Sequence, residues 1–328
     1  MNNHYRQIEV VPYDPNWPKI YTTEACSLWQ ALGDNCLAIH HVGSTSVPGL
    51  AAKPKIDVIA VVKDAESTIE ALKPLEYAYK GEYNIPFHYG FSKRGAISFN
   101  LHLYEEGHPE IALNLTFRDY LRNHPEMRNA YAALKYELLQ NKSAYEKTNS
   151  LFTGYNLGKN TFITQILKLA EFKEVRFVRC THYDEWNAAK RLRQRQFFDK
   201  VPIQDPYEWT FNHPDHLHFI LYSGVEIVGY AHVQLCAESI AILRIIAIEE
   251  NHRGGGLGKT LLQRIERWLE KSGRKCLYTD ASPDALSFYL SQGYTEMVFD
   301  DPEVDARDSR DTPVGKHLSK SSKNPIHK

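Results

Sequence analysis

The stretch RGGGLGKT, residues 253–260, decides how the second half of this 328-residue chain is read. Three consecutive glycines and then Leu-Gly-Lys-Thr stand at the head of a helical pattern. Glycines in that place let backbone amides approach an anion, most often a phosphate, at the positive end of a helix. The nucleotide P-loop wants glycine five positions before the glycine of the Gly-Lys pair, and that position is Arg253. The dinucleotide pattern GxGxxG fails too, because Gly254 and Gly256 are followed by Lys259 where a third glycine is needed. Arg-x-x-Gly-x-Gly does fit, at Arg253, Gly256 and Gly258. Taken alone, the stretch is equally compatible with a structural strand–turn–helix that holds no ligand.

Around it the pattern is regular. An apolar strand ends near Ile248. Then Leu257, Leu261, Leu262, Ile265, Trp268 and Leu269 form one stripe at helical spacing. A strand, CLYTD, follows, and then SPDALSFYLSQGY at 282–294. LRIIAIEENHRGGGLGKTLL and SPDALSFYLSQGY, in that order with a strand between them, resemble the two signatures of the GNAT superfamily of N-acetyltransferases. The resemblance covers about residues 174–319. It implies that the phosphate is the pyrophosphate of acetyl-CoA, and that the substrate is a small-molecule or peptide amine.

Carried over residue by residue, the resemblance implies a set of roles. Backbone groups of Ile246, Ala247 and Ile248 pair with the pantetheine arm as an added strand would. An amide near Ile246 polarises the thioester carbonyl, as in an oxyanion hole. Amides around Arg253, Gly254, Gly256, Gly258 and Lys259 hold the pyrophosphate. Tyr289 stands where the superfamily places the acid that protonates the departing thiolate, and a phenol near pKa 10 suits a thiol leaving group. Two positions depart from the pattern. Ser282 replaces a frequent asparagine, and a serine there can hydrogen-bond the arm or cap the helix. Ile242 occupies the place of the strand glutamate that some members use as general base. His232 and Glu226, on the preceding strand, are the substitute candidates, as is a chain of waters; the plain alternative for both side chains is a polar residue on a strand.

In the first half, HHVGSTSVPGLAAKPKIDVIAVV (40–62), FRDYLRNHPEMRNAYAALKYELL (117–139) and VPYDPNWP (11–18) resemble the GrpB family, over about residues 7–170. The resemblance implies a nucleotidyltransferase-like fold of poorly defined activity. Some members are fused to dephospho-CoA kinase, a hint of CoA chemistry. Nucleotidyl transfer needs a Gly-Ser turn to grip phosphates and usually two strand carboxylates, Asp-x-Asp, to hold Mg²⁺. Gly43-Ser44 supplies the turn and Asp57 one carboxylate, but the partner position is Ile59. Glu110 or Asp119 could complete the pair. His41, His88, His102 and His108 lack tight ligand spacing and read as hydrogen-bonded structural residues, so no metal is expected. Three readings stay open: an anion- or nucleotide-binding domain, an active nucleotidyl- or phosphotransferase, and a module that presents substrate or binds a partner.

Bulk composition agrees with two soluble domains. The chain is 43% hydrophobic and 24% charged, with a net charge of −1. Up to Phe172 it holds 17 Lys+Arg against 18 Asp+Glu, and beyond it 22 against 22, so neither half carries the basic footprint of a nucleic-acid binder. Five scattered cysteines without CxxC spacing, no apolar leader and no membrane-length apolar run imply a cytoplasmic protein. The expected fold class is α/β (α+β). A nucleotidyltransferase-like domain with C-terminal helices is expected over 1–172, a GNAT-type mixed-sheet domain over 173–319 and a disordered tail over 320–328. Patterning predicts strands at 8–13, 37–42, 56–62, 96–103 and 110–116 and a helix over 17–32, with 117–172 mostly helical. In the second half it predicts strands at 175–180, 217–222, 225–235, 239–249, 275–280, 294–299 and 312–318, with helices near 183–197, 257–271 and 284–291.

Overall fold

The structure is a computed structural model that describes residues 9–146, 152–199, 205, 208–211, 213–236, 239–302 and 309–318. The chain divides into two compact units, residues 1–176 with 223–226, and residues 177–222 with 227–328.

In the first unit, helix α1 (Trp17–Leu32) precedes strands β1 (Cys36–Val42) and β2 (Lys55–Val62). A short helix, α2 (Thr68–Ala71), leads to β3 (Ala78–Gly81), β4 (Tyr89–Lys93) and β5 (Ser98–Glu105). Helices α3 (Pro109–Asn123), α4 (Pro125–Gln140), α5 (Gly154–Leu157) and α6 (Asn160–Leu169) close the unit. The five strands form one sheet in the order β1-β2-β5-β4-β3. β1 runs antiparallel to β2, and β2 runs parallel to β5. β2 lies between β1 and β5, and its near-continuous apolar run is what a strand covered on both faces requires. Ile56, Val58, Ala60 and Val62 pack with Trp17, Leu28 and Leu32 of α1. Ile59 and Val61 pack with Val42 and Tyr104 against Ile111 and Leu115.

Two expected strands of this half are absent. Of the strand expected at 8–13, the described residues 9–13 contribute one bridge, Val11 to Ala52, and no strand; residue 8 lies outside the described residues. Residues 110–116 are helical, within α3. Pro109 sits in the first helical turn, where its missing N–H costs nothing. His108 Nδ1 accepts the Glu110 amide at 3.3 Å and caps the same turn. Ile111 and Leu115, four apart, then share the helix face on the core. The sheet instead gains β3 and β4, short strands that carry glycine at Gly81 and Gly90.

The second unit begins with β6 (Val175–Arg179), α7 (Tyr183–Arg193), β7 (His216–Ser223), β8 (Glu226–Leu235) and β9 (Ile240–Ile248). It continues with α8 (Leu257–Lys271), β10 (Cys276–Ala281), α9 (Pro283–Ser291), β11 (Thr295–Glu296) and β12 (Thr312–His317). The sheet order is β11-β12-β10-β9-β8-β7-β6. β8 pairs antiparallel with β9, and β10 with β12. β9 and β10 are parallel, as a helical crossover such as α8 demands. The α8 stripe is buried as expected, with Leu261, Leu262, Ile265 and Leu269 inaccessible to solvent. The strand expected over 294–299 is only two residues long. It pairs with β12, where Pro313 has no N–H to donate. The expected tail at 320–328 lies outside the described residues. Among the described residues, no helix is long and apolar enough to cross a membrane.

Candidate functional sites

β9 and β10 pair over three residues only, from Cys276↔Ile240 to Tyr278↔Ile242. Both strands run on, to Ile248 and Ala281, without further register between them. The sheet therefore forks at this point. On its other side β9 stays paired, with Ala231↔Ile246, Tyr230↔Ala247 and Gly229↔Ile248. One backbone edge of Ile246, Ala247 and Ile248 is thus used by β8, and the other faces the fork. Just before them, β9 holds one more residue than β8: His232 pairs with Ile245 and Val233 with Leu243, which leaves Arg244 as a bulge. The Arg244 guanidinium bonds both carboxylate oxygens of the buried Asp301 at 2.6 Å and the Gln234 side-chain oxygen.

Past Ile248 the chain turns through the glycines into α8. Gly254 and Gly256 both have φ of +81°, a left-handed conformation that glycine tolerates best, and Gly256 is the N-cap residue. A Cβ added at Gly254, Gly255 or Gly256 would meet nothing within 4 Å, so the turn is open on its outer side. Leu257, Gly258 and Lys259 form the first helical turn, whose amides have no intrahelical acceptor. Lys259 and Arg253 are exposed, and Arg253 Nε donates to the Ile248 carbonyl at 3.1 Å.

Tyr289 reaches the fork from α9. Its ring is buried, edge-on to Phe288 and Tyr294. Its hydroxyl lies near Thr279, whose own hydroxyl donates to the Leu243 carbonyl at 2.8 Å. The phenol thus stands beside the first residues of β9 and β10 beyond their last shared pair. Burial pushes it up to about 12, against a small opposing effect of Thr279. It is thus a weaker acid than the free phenol that the sequence suggested, and it keeps its proton throughout the neutral range. Ser282 is the N-cap residue of α9, without a side-chain capping bond.

The two candidate bases separate. Glu226 is exposed at the start of β8, three residues outside the paired region of β8 and β9. His232 lies opposite Ile245, beside the bulge, and is wholly buried. Its Nε2 shares a 2.9 Å hydrogen bond with His216 Nδ1, and its ring stacks on His218 at 4.5 Å. Burial first, then His218, Arg193, His216 and Arg244, hold it well below the ordinary histidine range. His218 in turn bonds the Tyr230 hydroxyl at 2.7 Å, and that hydroxyl accepts from Arg193 at 2.8 Å.

In the first unit, β1 ends at Gly43, whose φ of +68° and ψ of −174° fit glycine alone. Ser44–Ser46 then make one 3-10 turn. Gly43 presses on Asp57: an added Cβ would stand 2.4 Å from Oδ2 of that carboxylate. Asp57 pairs with Val42 on one side and Asn100 on the other, and Asn100 Nδ2 donates to its Oδ1 at 2.8 Å. Burial raises the Asp57 pKa; the Asn100 bond, then Lys55 and Lys159, oppose it. The turn is gripped from α3 and α4. Arg118 donates to the His41 carbonyl, Arg122 twice to that of Ser46, and Arg128 to that of Pro48. Neither acid that could complement Asp57 joins it: Glu110 pairs with Arg176 at 2.6 Å and Asp119 with Arg118 at 2.7 Å. The histidines are hydrogen-bonded, His41 to Thr45, His88 to His102 and His108 to the Pro86 carbonyl. Among the described residues no three His, Cys, Asp or Glu side chains could hold a metal ion.

With this geometry, the comparisons become specific. The GrpB protein family matches residues 7–169, and the acetyltransferase (GNAT) family matches residues 186–294. The chain is 39% identical over 142 residues to UPF0157 protein BH1888 of Halalkalibacterium halodurans, 42% of this chain and 73% of that protein. It belongs to the GrpB family. UPF0157 protein YqkA of Bacillus subtilis is 39% identical over 137 residues, and the match spans 40% of its length as of this chain's. The crystal structure of conserved protein GrpB from Enterococcus faecalis has 34% identity and a TM-score of 0.44, over 49% of this chain and 96% of that one. Behind the GrpB domain the chain carries a GNAT acetyltransferase domain, of a family that uses acetyl-CoA and acts on small-molecule or peptide substrates.

In the GNAT domain, Ile246, Ala247, Ile248, the glycine turn, Ser282 and Tyr289 fall on the fork and the elements that leave it. Glu226 does not. Thr279, Arg244 and Asp301 escaped notice in the sequence, although a threonine inside the strand CLYTD is a visible polar interruption. So did the HLH spacing of His216 and His218, which puts both on one face of β7. In the GrpB domain, Gly43, Ser44 and Asp57 come together. The spacing of Arg118, Arg122 and Arg128 was the missed signal for the clamp. Gly43→Ala should lower stability by about 2 kcal/mol or more, since it adds both backbone strain and a clash with Asp57. Thermal unfolding checks this against Gly95→Ala, where the nearest atom to the new Cβ is 3.5 Å away and little change is expected.

Proposed function

We propose that this chain transfers the acetyl group of acetyl-CoA to an amine, with the fork between β9 and β10 as its reaction centre. The observation that supports this most directly is the alignment of three elements along the one strand β9. They are the unpaired edge of Ile246–Ile248, the open glycine turn 253–259 and the Tyr289 hydroxyl. When bound, acetyl-CoA supplies a thioester carbonyl open to attack by a neutral amine. Ile246, Ala247 and Ile248 bind its arm through their backbone, and the amides of 254–259 with Lys259 hold its pyrophosphate. An amide near Ile246 stabilises negative charge on the carbonyl oxygen. Tyr289, still protonated at neutral pH, gives its proton to the leaving sulfur.

His232 is the better placed of the two bases. It stands across from Ile245 and is hydrogen-bonded to His216, while Glu226 lies outside the paired region of β8 and β9. The acceptor pocket is expected around 195–215; of these, residues 200–204, 206, 207 and 212 lie outside the described residues. The GrpB domain, in this reading, holds an anionic ligand such as a nucleotide at Gly43-Ser44 and does not transfer a nucleotidyl group. Asp57 has no carboxylate partner at hand, and the same strand face continues with buried Ile59.

Three measurements test this. Gly255 has an ordinary backbone conformation and open space, so Gly255→Asp introduces a carboxylate into the turn without strain. Acetyl-CoA affinity by calorimetry should fall more than tenfold with no loss of thermal stability; unchanged affinity would remove the turn from the site. Tyr289→Phe keeps the ring contacts and removes the acid, so kcat should fall about 10²–10⁴-fold while acetyl-CoA affinity holds. Full turnover by that variant would make Tyr289 a packing residue. The chain with ATP and Mg²⁺ should release no pyrophosphate; release that vanishes in Asp57→Asn would make the GrpB domain a working transferase.

A further inference from the structure

Three lysines meet beneath the Gly43-Ser44 turn. Lys135, on α4, is only 2% exposed. Its Nζ donates to Ser44 Oγ at 3.0 Å and to the Ala51 carbonyl, and it stands 4.6 Å from the centre of the Tyr131 ring. Lys53 Nζ and Lys159 Nζ lie 4.1 and 4.8 Å from the centre of one buried ring, that of Tyr155. Lys159 acts electrostatically on both Lys53 and Lys135, so the three form one cluster. The carboxylate that this cluster feels is Asp57, and Asp57 is engaged by Asn100 and pressed by Gly43.

Buried like charges cost several kcal/mol per ion unless they are paired. Here a hydroxyl, a carbonyl and two aromatic faces stand where counter-ions would be expected. The cluster relieves itself in part by losing protons. Burial first, then neighbouring lysines, push Lys135 down to about 7 and Lys53 to about 8, and burial lowers Lys159 as well. A pocket built in this way is completed by an anion with several oxygens.

We propose that Lys53, Lys135 and Lys159, with the Ser44 hydroxyl, form the seat of a phosphoryl dianion in the GrpB domain. This rests on the reading that the Gly43-Ser44 turn takes an anion, and it names the class. A tetrahedral group presents three peripheral oxygens to three ammonium donors and a fourth direction to the rest of the ligand; a carboxylate has two oxygens and leaves one lysine unmatched. An arriving dianion raises the lysine pKa values, so binding takes up protons. The affinity is therefore full below the pKa values of the empty site and declines as pH rises through those of the filled one. Of the other groups that face the cluster, His41 is held down to about 4 and Tyr155 pushed up to about 12, both outside this window. Tyr131 is raised by burial, and Asp57 and Lys55 complete the surroundings on β2.

The test is calorimetric titration of the full chain at pH 8 with inorganic phosphate and with phenyl phosphate, in Tris and in HEPES. The expected result is saturable binding whose heat differs between the buffers by the uptake of about one proton. Lys135→Met and Lys159→Met should each weaken binding at least tenfold, and Lys159→Met should leave thermal stability unchanged or raise it, because it removes a partly buried charge. Gly255→Asp, in the GNAT domain, should leave the affinity as it is. Binding lost in Gly255→Asp but kept in the lysine variants would place the anion in the GNAT domain and overturn the proposal. Binding weakened by Ser44→Ala but by neither lysine variant would keep the turn as an anion site and overturn the lysine seat. No binding of either probe would overturn both. If Lys135→Met does not fold, Lys159→Met decides, since its side chain makes a ring contact and no hydrogen bond.

Discussion

A strand edge that loses its partner inside a sheet has to be completed by something else, because buried backbone groups do not stay unpaired. That constraint governs the GNAT domain. β9 and β10 share three residue pairs and then part. The Arg244 bulge turns β9 just where the separation begins, and Asp301 and Gln234 hold the bulge in place. Thr279 bridges the first residues beyond the last pair, and the Tyr289 hydroxyl lies beside it. The glycine turn follows at the far end of the same strand. One local failure of pairing thus sets the position of the backbone edge, of Tyr289 and of the glycine turn.

The GrpB domain solves a different problem. Its turn is not open but clamped: three arginines hold the carbonyls of 41–48, and Gly43 leaves no space above Asp57. The charge beneath it is unbalanced, with lysines in place of the carboxylates that metal-dependent transfer uses. The two turns are built by opposite means. The GNAT turn has open amides at a helix start, with Arg253 and Lys259 exposed. The GrpB turn has the buried Lys135 ammonium against Ser44. Both arrangements are invisible in the net charge of −1, which sums over the whole chain.

Much of the architecture was legible along the chain. The stripe of α8 follows from 3.6-residue spacing, and the buried runs of β2 and β9 follow from apolar residues bounded by turn formers. Gly254, Gly256 and Gly43 announced turns because only glycine accepts their backbone angles cheaply. Readings failed where a local signal was ambiguous. EIALNLT at 110–116 is rich enough in apolar residues to read as a strand; Pro109 and the His108 cap made it a helix. IEVVPY had strand composition but no neighbour beyond the single bridge at Val11.

The sites divide along the same line. By itself the sequence determined which residues stand close in the chain: the Arg-x-x-Gly-x-Gly turn, the tyrosine in the helix after CLYTD, and Gly43 beside Ser44. Those are local matters of backbone freedom and helical spacing. Only the tertiary structure decided which distant residues share a space. It separated Glu226 from the fork, buried His232 against His216, and paired Glu110 and Asp119 with arginines and so kept them from Asp57. It also gathered Lys53, Lys135 and Lys159, more than a hundred positions apart at the extremes, around Ser44 and one tyrosine ring. Such convergence depends on sheet order and helix packing, which no spacing in the chain encodes.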